Sequence, residues 1–276
     1  VSEGASFAGD EIAAAWERHR ARLFESQCQL SEWLVDRVNP RPGDTILELA
    51  AGPGETGFLA AERLGSEGRL ISTDLNQAMV AAARRGADAR GLTNVETRVI
   101  DASAIDLADA SVDGVLSRFG LMLVPERERC FAECRRVLRP GGRLAYGVWG
   151  PFDRNDWLWH LVAASRQHGH EPPTDPEGPR APFSLADPAV NRDVLAAAGF
   201  ATVEIEEIPG AQRYASVDDY WDLQIAIAGP VSGLIRSLPD DERAAIRSTL
   251  EPMLAPFRAG DGTLALPSLT LGVCAS

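Results

Sequence analysis

The sequence contains no lysine. All 27 cationic side chains are arginine, set against 40 Asp and Glu, so the net charge is −13 and the pI near 4.8. Without lysine, no mechanism can rest on a lysine base or Schiff base. The acidic balance argues against nucleic acid, whose binders carry basic faces. Cysteine is scarce: Cys28, Cys130, Cys134 and Cys274. Cys130 and Cys134 share one face of a predicted helix. No Cys/His set with metal-ligand spacing accompanies them, so buried, reduced thiols are expected and no metal. No apolar run approaches the ~20 residues of a membrane span, and the first residues do not read as a signal peptide. The expected compartment is the cytoplasm. Repeats, low-complexity tracts and dividing linkers are missing too, and 276 residues at 45% apolar content suffice for one large domain.

What is present centres on DTILELAAGPGETG, residues 44–57. A short β-rich run ends in Glu48 and opens into a loop with Gly52, Gly54 and Gly57. An apolar helical pattern, FLAAERL, follows. Strand, glycine loop and helix make the first half of a nucleotide-binding βαβ unit.

The rest of the chain alternates in the same way. RLISTD reads as a second strand ending in Asp74, VETRVID as a third ending in Asp101, SVDGVLSRF as a fourth and RLAYGVW as a fifth. Helical patterns of about 10–15 residues separate them, which is the signature of a parallel sheet covered on both faces. Before the first strand, DEIAAAWERHRARLFESQ predicts a helix that Asp10 can cap, and LSEWLVDRV one that Pro40 and Pro42 stop. ERERCFAECRRVL predicts a helix stopped by Pro140-Gly141-Gly142. Beyond strand five come the helix DWLWHLVAASRQHG, a Pro-rich loop over 172–182, the helix DPAVNRDVLAAAGF, a sixth strand ATVEIEEI and a last strand SLTLGVCA. Residues 214–257 read as helices broken at Gly229-Pro230 and Pro239.

Glycines alone make a weak signal; the strand ends sharpen it. Asp74 stands twenty residues after Gly54, where a carboxylate can accept both hydroxyls of a ribose, and Asp101 can accept from an adenine amino group. A pyrophosphate wants amides and positive charge, yet Glu48 makes this loop acidic. That suits a nucleoside with cationic groups, S-adenosylmethionine (SAM).

At this point residues 46–149 resemble a known family, the class I SAM-dependent methyltransferases of the ubiquinone/menaquinone type. LELAAGPGETG, STDLNQAMV, DAS at 101–103, VLSRFGLMLVP and RVLRPGGRLAYGVW carry the likeness. The resemblance implies an α/β, Rossmann-like, doubly wound sheet of seven strands whose last strand is antiparallel, with helical lid segments. It implies that Glu48, Ala50, Gly52 and Gly54 cradle the methionine end of SAM, that Asp74 holds the ribose with Leu75 and Met79 against the adenine, and that Asp101 and Ala102 read the adenine edge. The stretch from Ser117 to Phe119, just after the fourth strand, would face the methionine moiety and the acceptor. Ala50 departs from the family's glycine, and its methyl is tolerable only at negative φ.

Methyl transfer from a sulfonium needs mainly positioning and exclusion of water. Helices over 10–38, 154–169 and 214–258 are therefore expected to close over the cofactor, with Trp16, Trp149 and Tyr214 lining an apolar or aromatic acceptor pocket. His160 is the candidate base for a hydroxyl acceptor. The expected organisation is a single methyltransferase domain over 1–276: an N-terminal cap (10–38), a SAM-binding core (43–150), a lid helix and loop (151–200), and a terminal hairpin (201–276) carrying the insertion 214–258. The expected partner is a small-molecule acceptor, with no nucleic acid and no membrane span; a homodimer stays open. Two alternatives stand beside this reading, a nicotinamide-dependent oxidoreductase and a non-catalytic SAM-binding protein.

Overall fold

The computed structural model describes residues 10–172 and 182–276. Seven strands form one sheet: β1 (Thr45–Glu48), β2 (Arg69–Asp74), β3 (Val95–Val99), β4 (Val112–Arg118), β5 (Leu138–Trp149), β6 (Val203–Tyr214) and β7 (Leu264–Ala275). Their order is β3-β2-β1-β4-β5-β7-β6. The first five run parallel, and β7 is antiparallel to both neighbours, as the family resemblance implies. Strands β1 and β4 lack the alternation of a half-wet strand because both their faces are covered. From β1 the chain steps outward to β2 and β3, then returns to lay β4 on the other side of β1. Such a reversal leaves a crevice beyond the carboxyl ends of β1 and β4.

One face of the sheet is covered by α3 (Cys28–Val38), α4 (Glu55–Leu64) and α5 (Gln77–Ala89), which bury Leu34, Phe58 and Ala87 with Ile46, Leu70 and Leu116. The other is covered by α6 (Arg127–Val137) and α8 (Pro188–Ala197), which bury Phe131 and Leu195 with Leu47, Val115 and Tyr146. A third apolar cluster joins α7 (Asp156–Gln167), α9 (Val217–Ile227), α10 (Pro230–Ser237) and α11 (Asp240–Leu254) around Leu161, Tyr220, Ile246 and Leu250. No helix among the described residues is long and apolar enough to cross a membrane.

Several expectations change. The single helix expected over 10–27 is two, α1 (Asp10–Arg18) and α2 (Arg20–Glu25). The break at His19 lets two arginines, two residues apart, reach different elements: Arg20 Nε lies 2.7 Å from Glu55 on α4, and Arg22 pairs with Asp219 on α9. Helix α3 ends before its prolines, because Asn39 adopts φ 53° and returns its N–H to Val35. Helix α6 ends at Val137. Leu138 already pairs with Val112, so Pro140-Gly141-Gly142 lies inside β5, across from a register shift between Val112 and Gly114. Strand β3 stops at Val99, and Asp101 stands two residues beyond it, bridging to Ala104.

The largest difference is the terminal hairpin. β6 and β7 pair along their full length, from Val203↔Ala275 to Tyr214↔Leu264, while β5 pairs only with Thr270 through Ala275. Residues 209–214 and 264–269 therefore run past the sheet as a two-stranded arm. A bare two-stranded ribbon is marginal in water. Here Tyr214, Leu264 and Leu266 sink into the third apolar cluster, which lets the strands continue where the sequence pattern suggested they stop. The Pro-rich loop falls almost wholly outside the described residues, as does the side chain expected to cap α1.

Candidate active site

The glycine loop is pinned between the strands flanking the crevice. Leu49 donates its N–H to Leu116 of β4 at 2.8 Å, and Ala51 to Thr73 of β2 at 2.8 Å. Between them Ala50 has φ 50°. The condition of negative φ is not met; the residue is left-handed, at a cost of about 1–2 kcal/mol. Its methyl has room because Gly120 stands opposite, where a side chain would collide with the Ala50 Cβ. Phe119 is also left-handed, at φ 61°. Two strained non-glycine residues thus flank the crevice, the usual place for strain that a site needs. At Gly54, φ is 91° and a Cβ would lie 2.6 Å from the Phe58 ring, so only glycine fits.

The carboxylates differ more than their positions in sequence suggest. Glu48 is buried, with Oε1 accepting from the Gly57 N–H at 2.7 Å and Oε2 from the Ser72 hydroxyl at 3.0 Å. Both oxygens are engaged by the loop's own scaffold. Burial pushes its pKa up to about 8, against the pull of the Ser72 and Gly57 hydrogen bonds and the Arg118 charge. Asp74 accepts from Gly52 N–H and from Asn76 N–H, each at 2.9 Å. Burial raises its pKa and those amides hold it back. Asp74 thus ties the loop to the end of β2. Asp101 is exposed, and one of its oxygens takes both the N–H and the hydroxyl of Ser103 at 2.8 Å. Beside Asp74, Leu75 is an apolar side chain 63% exposed, while Met79 and Ala102 are buried.

On the β4 side Ser117 is buried, and its Oγ has no hydrogen-bond partner among the described residues. Phe119 stacks on Trp149 with centroids 4.2 Å apart and planes at 15°, and Trp157 continues the series 4.9 Å further on. Strand ends therefore bring together the loop, Asp74, Ser117, Phe119 and Trp149. Tyr214 lies elsewhere, packed edge-on to Tyr220 in the third cluster, its hydroxyl accepting from Gln224 at 3.0 Å. Trp16 is half-buried on α1, which packs against α5 and α9. His160 stands one turn after Trp157 on α7, with its ring edge-on to Phe257 at 5.2 Å. Neither ring nitrogen has a hydrogen-bond partner among the described residues, and burial lowers its pKa, so the ring is neutral near pH 7.

Sequence reasoning missed one charged group and gave a second no role of its own. Glu55, the first residue of α4, is buried between Arg20 and Arg90; an acid at a helix N-terminus was the available signal. Arg118 at the end of β4 was read only as part of the stretch from Ser117 to Phe119, with no role of its own, although it is the one cation in the fourth-strand pattern.

With the geometry in place, comparison with known proteins defines the class. Residues 46–142 match the family model of a methyltransferase domain. A stretch of 104 residues, 38% of this chain, is 40% identical to arsenite methyltransferase of Halobacterium salinarum and covers 27% of that protein. A stretch of 142 residues, 51% of this chain, is 36% identical to nocamycin O-methyltransferase of Saccharothrix syringae and covers 49% of it. The chain thus spans less than two thirds of these curated relatives. The crystal structure of the YcgJ protein from Bacillus subtilis superposes with a TM-score of 0.57 over 89% of this chain and 97% of its own, at 17% identity, a likeness of fold alone. Residues 46–142 are a class I methyltransferase domain, and SAM is the cofactor of that domain. Neither the nicotinamide reading nor the non-catalytic one draws support from these matches.

Proposed function

We propose that the chain as a whole transfers a methyl group from SAM to a small apolar or aromatic metabolite. The observation that carries this reading is the crevice at the strand reversal, where a strained glycine loop, the Asp74 carboxylate and an unpartnered buried Ser117 hydroxyl converge. These groups fit SAM. Gly52 opens onto free space, with nothing within 4 Å of a would-be Cβ, so a ligand can lie against the loop backbone. Asp74 keeps lone pairs for ribose hydroxyls beyond the two amides it already accepts from. Leu75 and Met79 offer apolar surface for an adenine, whose edge falls to Asp101 and Ala102. Glu48 supports the methionine end indirectly, by fixing the loop in which Ala50, Gly52 and Gly54 lie.

When bound, SAM supplies a methyl group already activated on sulfur. The protein's own contribution is placement, and near-attack geometry can supply about 7–11 kcal/mol of the barrier. Phe119, Trp149 and Trp157 form the aromatic wall against which we place the acceptor. Helices over 10–38, 154–169 and 214–258 close over it and exclude water, so that the chain acts as one methyltransferase domain. Trp16 and Tyr214 belong to that closure, Tyr214 by holding the insertion rather than by touching the acceptor. For a hydroxyl acceptor, His160 is the base to test; an anionic acceptor needs none.

Calorimetry with SAM and with NAD, followed by methyl-donor turnover over a metabolite library, tests the reading. SAM and its demethylated product are expected to bind in the micromolar range, NAD not at all. Nicotinamide binding without SAM heat would overturn it. SAM binding with no turnover across the library would favour a non-catalytic protein.

A further inference from the structure

Arg118 is the last residue of β4 and pairs with Gly147 of β5. Residues paired in a parallel ladder send their side chains to the same face, and that face alternates along the strand. Two residues earlier, Leu116 pairs with Glu48 of β1 and with Ala145 of β5, and packs among the α3 and α4 side chains. A Cβ at Gly147 would meet Leu30 of α3 at 2.7 Å. Arg118 therefore leaves the strand on the α3–α4 side, above Glu48, whereas Ser117 leaves on the other. Its guanidinium lies 5.9 Å from the Phe119 ring centroid. It makes no hydrogen bond or ion pair with another described residue. Both carboxylates that act on it are committed elsewhere. Glu48 is held by Gly57 and Ser72, and Glu55 by Arg20 and Arg90. Glu48 is moreover protonated through much of the neutral range, its pKa being pushed up to about 8.

Arginine stays charged in proteins, so the crevice holds a cation without a counter-charge. An arginine fork without a partner is suited to a carboxylate, which it can take with two parallel hydrogen bonds. Asp74 marks the far side of the same crevice, two strands away, about 10 Å at ordinary strand spacing. A ligand with its ribose at Asp74 and its chain running across β1 delivers its far end to Arg118. In SAM that end carries the only anionic group of the molecule. We propose that Arg118 anchors the α-carboxylate of SAM, and so sets the methionine arm against the glycine loop. It is a positioning residue, acting on the end of the cofactor remote from the transferred methyl.

The inference rests on SAM as the cofactor and is tested by binding alone. The probes are SAM, S-adenosylhomocysteine, which keeps the carboxylate but has no sulfonium charge, and decarboxylated SAM, which has the reverse. Arg118→Gln should weaken the first two about 10- to 100-fold, as loss of a charge-assisted pair does, and leave decarboxylated SAM within about threefold, since that ligand never made the pair. Arg118→Lys, which keeps the charge but not the fork, should fall between wild type and Arg118→Gln for the two carboxylate ligands. Thermal melting of the unliganded variants confirms that they are folded. If all three ligands weaken together, Arg118 is architectural and the proposal fails; if none weakens, it fails as well. Wild-type protein that binds none of the three would instead overturn the SAM reading itself.

Discussion

Glu48 and Tyr214 are both buried, at 2% and 3% exposure, and they are buried in opposite ways. Glu48 takes one backbone amide and one hydroxyl, each aimed at one of its oxygens. Tyr214 lies in an apolar cluster, with one hydrogen bond from Gln224 and an edge-on Tyr220. The same contrast separates the regions around them. The crevice is held by carboxylates that accept from loop amides, so its geometry is fixed by directional contacts and responds to protons. The insertion over 214–258 is held by side-chain packing, which tolerates volume-conserving change, and by ion pairs at its rim such as Arg22–Asp219 and Arg247–Asp218. A fixed cofactor needs the first kind of architecture, and an acceptor pocket that must admit and release ligand suits the second.

The sharpest break in that symmetry is titration of Glu48. A carboxyl whose folded pKa of about 8 exceeds its unfolded value of 4.5 holds a proton in the folded state that the unfolded chain has lost. Stability from this group is complete below pH 4.5 and declines as pH rises toward 8, by roughly 1.4 kcal/mol per pH unit, or roughly 5 kcal/mol across the window. Glu48→Gln keeps an acceptor for Gly57 and cannot ionise. The difference in unfolding free energy between wild type and variant should therefore slope with pH between 4.5 and 8. A flat difference would mean that Glu48 is ionised in the folded protein.

Next in size is cofactor binding. Asp74→Ala should weaken SAM by at least about 100-fold, and Asp101→Ala by about tenfold, since hydrogen bonds to a desolvated carboxylate are worth about 1.5–3 kcal/mol each. Asp74 is the more enclosed of the two and also ties Gly52 to β2. Equal affinity in wild type and Asp74→Ala would remove it from the ribose site. On the acceptor side the effect is smaller. Trp149→Leu should raise KM for an aromatic acceptor about three- to tenfold, the worth of one stacked pair, with SAM affinity unchanged. A matching loss of SAM affinity would place Trp149 in the cofactor site instead.

The two regions also differed in how far the sequence could be read. The five parallel strands and the loop after the first of them were legible, because each follows from short local signals: a glycine cluster, an acid at a strand end, an apolar run of strand length. The antiparallel last strand came from the family resemblance. The arm was not. Pro209 and Gly210 interrupt the sequence pattern of a strand there, though β6 runs through them, and nothing local reveals that Leu264 and Leu266 continue the partner strand because the helices of the third cluster cover them. Direction was lost for the same reason. Glu48 reads as a carboxylate beside the loop, but only the register with Ser72 shows that it is turned onto the scaffold. Ala50 reads as a methyl that forbids positive φ, and only Gly120, 70 positions later in the chain, shows where that methyl goes.

The smallest effect tests whether the regions are mechanically separate. Arg22 reaches both oxygens of Asp219 at 2.6 and 2.7 Å, donates to the Arg213 carbonyl at 3.0 Å and lies over the Tyr214 ring. It therefore clips the N-terminal helices to the root of the insertion. Both side chains are about 30% exposed, so the pair is partly screened, and Arg22→Ala should cost only about 0.5–1 kcal/mol, less at high salt. The informative readout is where that loss is felt. Amide hydrogen exchange should quicken in α9 and at the arm, while α4 and the Gly57 amide, fixed by Glu48, keep their protection, because local openings follow cooperative units. Exchange that quickens equally in α4 and α9 would show that the latch and the packed insertion open as one body, and the division between a fixed cofactor crevice and a compliant acceptor side would have to be given up.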